Sequence, residues 1–216
     1  APAAQAASLS GAGASFPQLL IEACKVPFNK KTGHSLTYGG GGSGAGKTAS
    51  DNQTGDVWFS DSPHTATSAR PTILHIPAVA APIAVLHNLT SNNQLYLSPT
   101  TVGKIFSGEI TRWNDPAIAK DNNRKISRVI YRQDANGDVK KNKKGQPIVV
   151  RTVSRNVRYT LPNQKIKVIF RADKSGTSNN FTKWLRGVNP TLWTKPSNDF
   201  FATSFPGNIN APGNIG

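Results

Sequence analysis

Glycine stands beside serine, just ahead of a candidate helix, in three short stretches. They are Gly11-Ala12-Gly13-Ala14-Ser15-Phe16-Pro17, Gly39-Gly40-Gly41-Gly42-Ser43-Gly44 and Arg171-Ala172-Asp173-Lys174-Ser175-Gly176-Thr177-Ser178. A helix start carries unpaired N–H groups and the positive end of the peptide dipole, so it favours an anion. Ser15, Ser43, Ser175 and Thr177 add hydroxyl donors, and Gly176 lets backbone approach closely. Arg171 adds a guanidinium able to give an oxyanion two parallel hydrogen bonds. Asp173, two residues on, is positioned to orient it. Taken singly, the third stretch has a less favoured alternative reading, an N-capping box with a surface ion pair.

Asp61 ends the apolar run Asp56-Val57-Trp58-Phe59-Ser60. A carboxylate facing an anion repels it unless a proton lies between them. Inorganic phosphate carries such a proton at neutral pH and sulfate does not, so an acid in this place selects phosphate by rejecting its competitor. The plainer alternative is a strand-end carboxylate capping the turn at Ser62-Pro63.

The pattern Gly41-Gly42-Ser43-Gly44-Ala45-Gly46-Lys47-Thr48 also fits the formula of a nucleotide-binding P-loop. Against that reading, residues 49–55 form helix poorly and meet Gly55 within two turns. The chain also lacks a long alternating strand–helix series. Residues 134–145 begin like a calcium loop but have Val139 at the sixth position and Gly145 at the twelfth, so no calcium site is expected. The four histidines have no metal-ligand spacing, and no metal or cofactor is expected.

The elements that must carry these loops follow from pattern. A strand near Leu9 feeds the first loop, and a helix over 17–30 follows with Leu19, Leu20, Ala23, Val26 and Phe28 at helical spacing. Thr32-Gly33 closes it. A strand over 36–38 precedes the glycine run, and another over 56–61 ends at the carboxylate. Residues 73–86 read as a strand crossing between lobes. Ser98-Pro99 starts a helix to about Phe106, and a short helix covers 116–120. A strand over 166–170 leads into the arginine motif and a helix over 177–185.

The chain has 216 residues, enough for a core, and 37% are hydrophobic, which with abundant Gly and Pro suggests a loop-rich α/β protein. No apolar run is long enough to span a bilayer. The first eight residues read as a disordered leader or the tail of a removed secretory signal. The lone Cys24 excludes an internal disulfide and is expected to be a small apolar residue on a helix face. Net charge is +15, and residues 121–170 hold thirteen Lys/Arg against three Asp. That segment is either a solvated basic hairpin or a contact for anions or a polyanionic surface.

These motifs resemble the phosphate-binding proteins of bacterial high-affinity phosphate ABC transporters. The resemblance runs from Leu9 to about Leu185 and includes Ser60-Asp61-Ser62-Pro63 and Ile105-Phe106-Ser107-Gly108-Glu109-Ile110-Thr111-Arg112-Trp113-Asn114-Asp115. It implies a two-lobed α/β clamp of the type II periplasmic-binding-protein fold, with residues 1–82 in lobe 1 and 83–216 in lobe 2, the latter carrying a basic insert at about 122–165. It implies that Ser15 and Phe16 donate backbone N–H groups, Ser15 and Ser43 hydroxyls as well, and that Asp61 accepts the phosphate proton. Arg171, oriented by Asp173, would pair with the anion, and Ser175, Gly176 and Thr177 would close the cage from the second lobe. The implied role is capture of inorganic phosphate outside the cytoplasmic membrane, by hinge closure without covalent chemistry, and delivery to ABC permease subunits.

The location would be periplasmic, cell-surface or secreted. Such proteins usually run longer, so lobe 1 is expected to lack its usual return and to expose apolar surface, whether as a fragment, a shortened family member or one chain completed by another. The alternatives are an extracellular phosphate-sensing or adhesion module that uses the basic insert as its contact, and, less favoured, a P-loop NTPase.

Overall fold

A computed structural model describes residues 6–64, 72–90 and 94–206. The expected leader, over its first five residues, and the glycine- and proline-rich tail from residue 207 lie outside the described residues. The chain divides into two compact units: Ala1–Asn88 with Gly103–Glu109 and Lys167–Gly216, and Leu89–Val102 with Ile110–Ile166.

In the first unit, β1 (Ser8–Gly13) pairs in parallel with β2 (Ser35–Gly40) on one side and β3 (Val57–Phe59) on the other. The order β2-β1-β3 aligns the carboxyl ends of all three strands, where ligands of open parallel sheets bind. After β1 the chain enters α1 (Gln18–Thr32), which ends at Gly33 with φ 74°, its N–H bonded to Asn29 O at 2.8 Å. This is the glycine stop expected of Thr32-Gly33.

After β2 comes α2 (Ser43–Asp51), nine residues that include Gly44 and Gly46. It stops at Asp51, so most of the stretch 49–55 expected to form helix poorly lies past its end, and the helix forms where small residues let it lie against the sheet. A Cβ on Gly46 would stand 2.6 Å from Phe59 O and 2.8 Å from Gly13 Cα. Tertiary packing here outweighs propensity.

The apolar core of this unit is aromatic. Trp193 and Phe201 are almost fully buried, and Phe170 stacks on Phe201 with centroids 4.7 Å apart. Phe106, at the end of α3 (Pro99–Phe106), meets Phe181 of α5 (Gly176–Val188) edge-on at 4.8 Å. Trp193 Nε1 donates to Gly103 O at 3.1 Å, satisfying the indole in the core.

Two expected strands are not regular strands. Residues 73–86 form no backbone ladder among the described residues, and Leu74, Ile76 and Leu86 are exposed, Leu86 by 90%. An apolar run becomes a strand only where neighbours accept its hydrogen bonds. Residues 166–170 keep alternating burial, with Val168 buried between exposed Lys167 and Ile169, yet only isolated bridges form at Lys165 and Phe170.

The apolar face expected of α1 also stays open. Leu19 is 85% exposed and Val26 62%, and only Ile21 is buried. Cys24 is exposed, beside an apolar hollow of about 250 Å³ lined in part by Leu20, Phe28, Leu36 and Val79.

In the second unit, α4 (Pro116–Asn122) starts at Asp115, whose Oδ1 accepts from Ala117 N at 2.8 Å. Buried Asn122 accepts from Tyr96 N and donates to Tyr96 O and Ile118 O, each at 2.8 Å. The basic segment is a two-stranded antiparallel ribbon, β4 (Arg124–Tyr131) with β5 (Val149–Val157). The four-residue α6 (Phe201–Ser204), back in the first unit, had no sequence signal. No helix among the described residues is long and apolar enough to cross a membrane.

Candidate functional site

The loops after β1, β2 and β3 meet the start of α5 within one compact unit. They are tied at the base: Ala14 N donates to Phe59 O and Gly41 N to Gly13 O, both at 2.9 Å. Tyr38 donates to Ala14 O at 2.6 Å. Burial first, and then the Asp61 carboxylate, push its hydroxyl up to about 12, so it remains a donor at any working pH.

Gly42 has φ 88°, and a Cβ there would lie 2.5 Å from Asp173 Oδ2 and 3.2 Å from Arg171 Nη2. Glycine is therefore required both by conformation and by the close approach of the arginine loop. Gly44 N donates to Lys174 O at 3.0 Å, fixing the same contact through backbone.

Ser43 is fully buried, and its Oγ accepts from Asp61 N at 3.0 Å. Asp61 Oδ2 accepts from Thr177 Oγ1 at 3.0 Å, and Asn180 Nδ2 donates to Asp61 O at 2.7 Å. The carboxylate is thus turned toward α5. A Cβ on Gly176 would stand 2.5 Å from Ser43 Oγ and 2.7 Å from both Asp61 Cβ and Ser62 N, so this position tolerates no side chain without movement.

Arg171 reaches across to the first loop, its Nη1 donating to Ser15 Oγ at 3.2 Å. Its Nε donates to Asp173 Oδ1 at 2.7 Å and its Nη2 to Asp173 Oδ2. That fork from Arg171 holds the Asp173 carboxyl below its usual range. The two bonds to Asp173 fix the guanidinium in plane.

Ser15, Arg171 and Asp173 form one hydrogen-bonded set and Ser43, Asp61 and Thr177 a second, packed against Gly176; the close approach of Gly42 to Asp173 and Arg171 brings the two sets side by side. Phe16 sits next to Ser15 and is exposed, with no hydrogen bond tying it to the cluster among the described residues. Ser175 caps α5, its Oγ accepting from Ser178 N at 3.3 Å while its own N–H goes to Asp199 O at 3.0 Å. Only its hydroxyl hydrogen is left to offer a ligand. The backbone amides of Gly176 and Thr177, in the first turn, have no acceptor among the described residues.

A second layer escaped sequence reasoning. Lys47 Nζ donates to Ser62 Oγ at 2.7 Å and to Asp199 Oδ2 at 2.9 Å. Asp199 Oδ1 accepts from Ser62 Oγ at 2.8 Å and Asn179 Nδ2 at 3.0 Å. Burial would raise the Asp199 carboxyl, but the bonds from Lys47, Ser62 and Asn179 outweigh it and hold it low. The lysine of the P-loop formula is therefore committed inside the protein. The helix, moreover, already starts at Ser43, upstream of the Gly-Lys-Thr triplet. No group of three or more metal-ligating side chains occurs among the described residues.

A parallel sheet whose carboxyl-end loops converge on an arginine and a carboxylate defines a ligand-binding domain, and comparison with known proteins gives its family. The chain matches the PBP superfamily domain over residues 1–203, and it belongs to that family. Among characterised relatives, it is 32% identical over 216 residues to the phosphate-binding protein PstS of Pasteurella multocida, covering 98% of this chain and 52% of that one. It is also 32% identical over 193 residues to the phosphate-binding protein PstS 3 of Mycobacterium tuberculosis, covering 85% of this chain and 42% of the relative. For the phosphate-binding protein PstS of Haemophilus influenzae the identity is 30%, over 87% and 47%. The chain spans about half the length of the curated relatives it matches.

Proposed function

We propose that this chain binds inorganic phosphate outside the cytoplasmic membrane and serves an ABC-type phosphate permease. The observation that carries the reading is one cluster holding a braced guanidinium, Arg171, together with a carboxylate, Asp61, that accepts from Thr177. Arg171 and the free amides of the α5 start supply positive potential for the anion. Asp61 supplies an acceptor for a proton that phosphate has and sulfate lacks. Ser15, Ser43, Ser175 and the neighbouring Phe16 amide complete the donor set, with Gly176 making room. Binding needs no bond making or breaking.

The names of the relatives, all phosphate-binding proteins, support the ligand class. Delivery to permease subunits and an extracytoplasmic location are part of the same proposal and rest on the resemblance to the binding proteins of phosphate transporters. Titration calorimetry of the full chain tests the ligand: phosphate is expected to bind at neutral pH and sulfate to give no saturable heat. Equal binding of the two anions would overturn the reading.

A further inference from the structure

The β4–β5 ribbon places Arg124 opposite Val157, Ile126 opposite Arg155, Arg128 opposite Val153 and Ile130 opposite Arg151. Opposed residues share a face and alternate residues along a strand return to it, so these eight make up one face. Its arginines run 124, 155, 128, 151, changing strand at each step and advancing about 7 Å per step along the ribbon. Arg128, Arg151 and Arg155 are exposed and take part in no ion pair among the described residues. Arg124 is braced with its guanidinium 3.6 Å from the centre of the Tyr96 ring. Residues 124–158 hold eleven Lys/Arg and only two Asp. Of those two, Asp134 is spent on its own turn, accepting from Asn136 N at 2.9 Å and Asp138 N at 3.0 Å.

We propose that this face docks a linear polyol-phosphate polymer, an envelope phosphodiester in which phosphates are separated by a three-carbon unit. The path P–O–C–C–C–O–P contains six bonds, as many as two extended peptide residues, so an extended chain of this kind advances about 7 Å per phosphate. Its phosphates then fall in step with the arginine ladder, each met by a planar fork of donors. Ile126, Ile130, Val153 and Val157 lie between the arginines, against the carbon segments.

Single-stranded nucleic acid shares the spacing, but its bases call for a series of aromatic platforms, and the two strands hold a single aromatic, Tyr131, beyond the register shift that ends the regular ladder. Insertion into a bilayer needs one apolar and one charged side. This ribbon mixes the two on the arginine face itself. The inference does not depend on phosphate capture by the Arg171 cluster.

The test is a fluorescence titration of the full chain with poly(glycerol phosphate) of defined length across a salt series. Duplex DNA of equal phosphate number, a sulfated polysaccharide and anionic phospholipid vesicles are titrated in parallel. Poly(glycerol phosphate) is expected to bind tightest. The triple variant Arg128→Ala, Arg151→Ala, Arg155→Ala should bind it at least tenfold more weakly, with a log–log salt slope flatter by about two. Replacing Lys140, Lys141, Lys143 and Lys144 together by Ala at the turn should weaken it less, and both variants should bind inorganic phosphate as the parent does. The proposal fails if the triple variant binds as before, if the turn variant loses as much, or if one of the other polyanions or the vesicles binds as tightly.

Discussion

The cluster around Arg171 and the β4–β5 ribbon both concentrate positive charge, and they hold it in opposite ways. Arg171 and Lys47 each have a carboxylate within hydrogen-bond reach, Asp173 and Asp199, and each is locked in one geometry. The ribbon leaves Arg128, Arg151 and Arg155 exposed, with no such partner among the described residues. A cation fixed by a partner gives direction and selectivity. A cation without one contributes to a field that attracts any polyanion and weakens with salt. On the proposed readings the same residue type would serve recognition in one unit and attraction in the other, and substitutions should separate the two.

The largest expected effect is on Arg171→Ala, which removes the guanidinium and leaves Asp173 unpaired. Phosphate affinity should fall by two orders of magnitude or more, about 3 kcal/mol or above, read by calorimetry. Arg171→Lys keeps the charge without the fork and should recover only part of it. Substitution of Arg155 by Ala should leave phosphate affinity within a factor of two; an equal loss there would erase the contrast.

Next come the glycines of α5. Gly176→Ala drives a methyl against Ser43 Oγ, Asp61 Cβ and Ser62 N and should cost about 1–3 kcal/mol of stability, with weaker phosphate binding. Gly187→Ala meets nothing within 4 Å in the same helix and should stabilise by up to about 1 kcal/mol. Thermal melts of the pair separate crowding from helix propensity.

Acid should loosen the first unit through its fixed carboxylates. Asp173 and Asp199 titrate below their ordinary values, so the stability they give is complete above an unfolded value of about 3.9. It is lost as pH falls through their lower folded values. Melting temperatures taken from about pH 5 down to about pH 3 should therefore fall, and less steeply in Asp199→Asn than in the parent. Smallest of all, Arg128→Ala and Arg151→Ala should change stability by no more than about 0.5 kcal/mol, as exposed positions away from packed features.

Local chemistry made much of the site legible. The strands before the first two loops, the Gly33 stop, the Ser98-Pro99 start and the Arg171–Asp173 pair all rest on residues close in sequence, where side-chain type and spacing decide the geometry. Lys47 and Asp199 could not be paired this way, because 152 positions separate them and neither belongs to a recognisable motif with the other. Lys47 instead fits a nucleotide-binding formula, a reading that its bonds to Ser62 and Asp199 count against. The strand expected over 73–86 fails for a related reason. Its composition states a preference, but ladder partners are supplied elsewhere in a fold. The same holds for α1, where helical spacing of Leu19, Leu20 and Val26 was legible and the exposure of that face was not.

The most direct test of the central claim, that Asp61 reads the proton on the anion, is the ratio of phosphate to sulfate affinity before and after Asp61→Asn. Strong preference for phosphate is expected in the parent and a ratio reduced at least tenfold in the variant, chiefly because sulfate gains. An unchanged ratio in Asp61→Asn, with the variant folded, would contradict it.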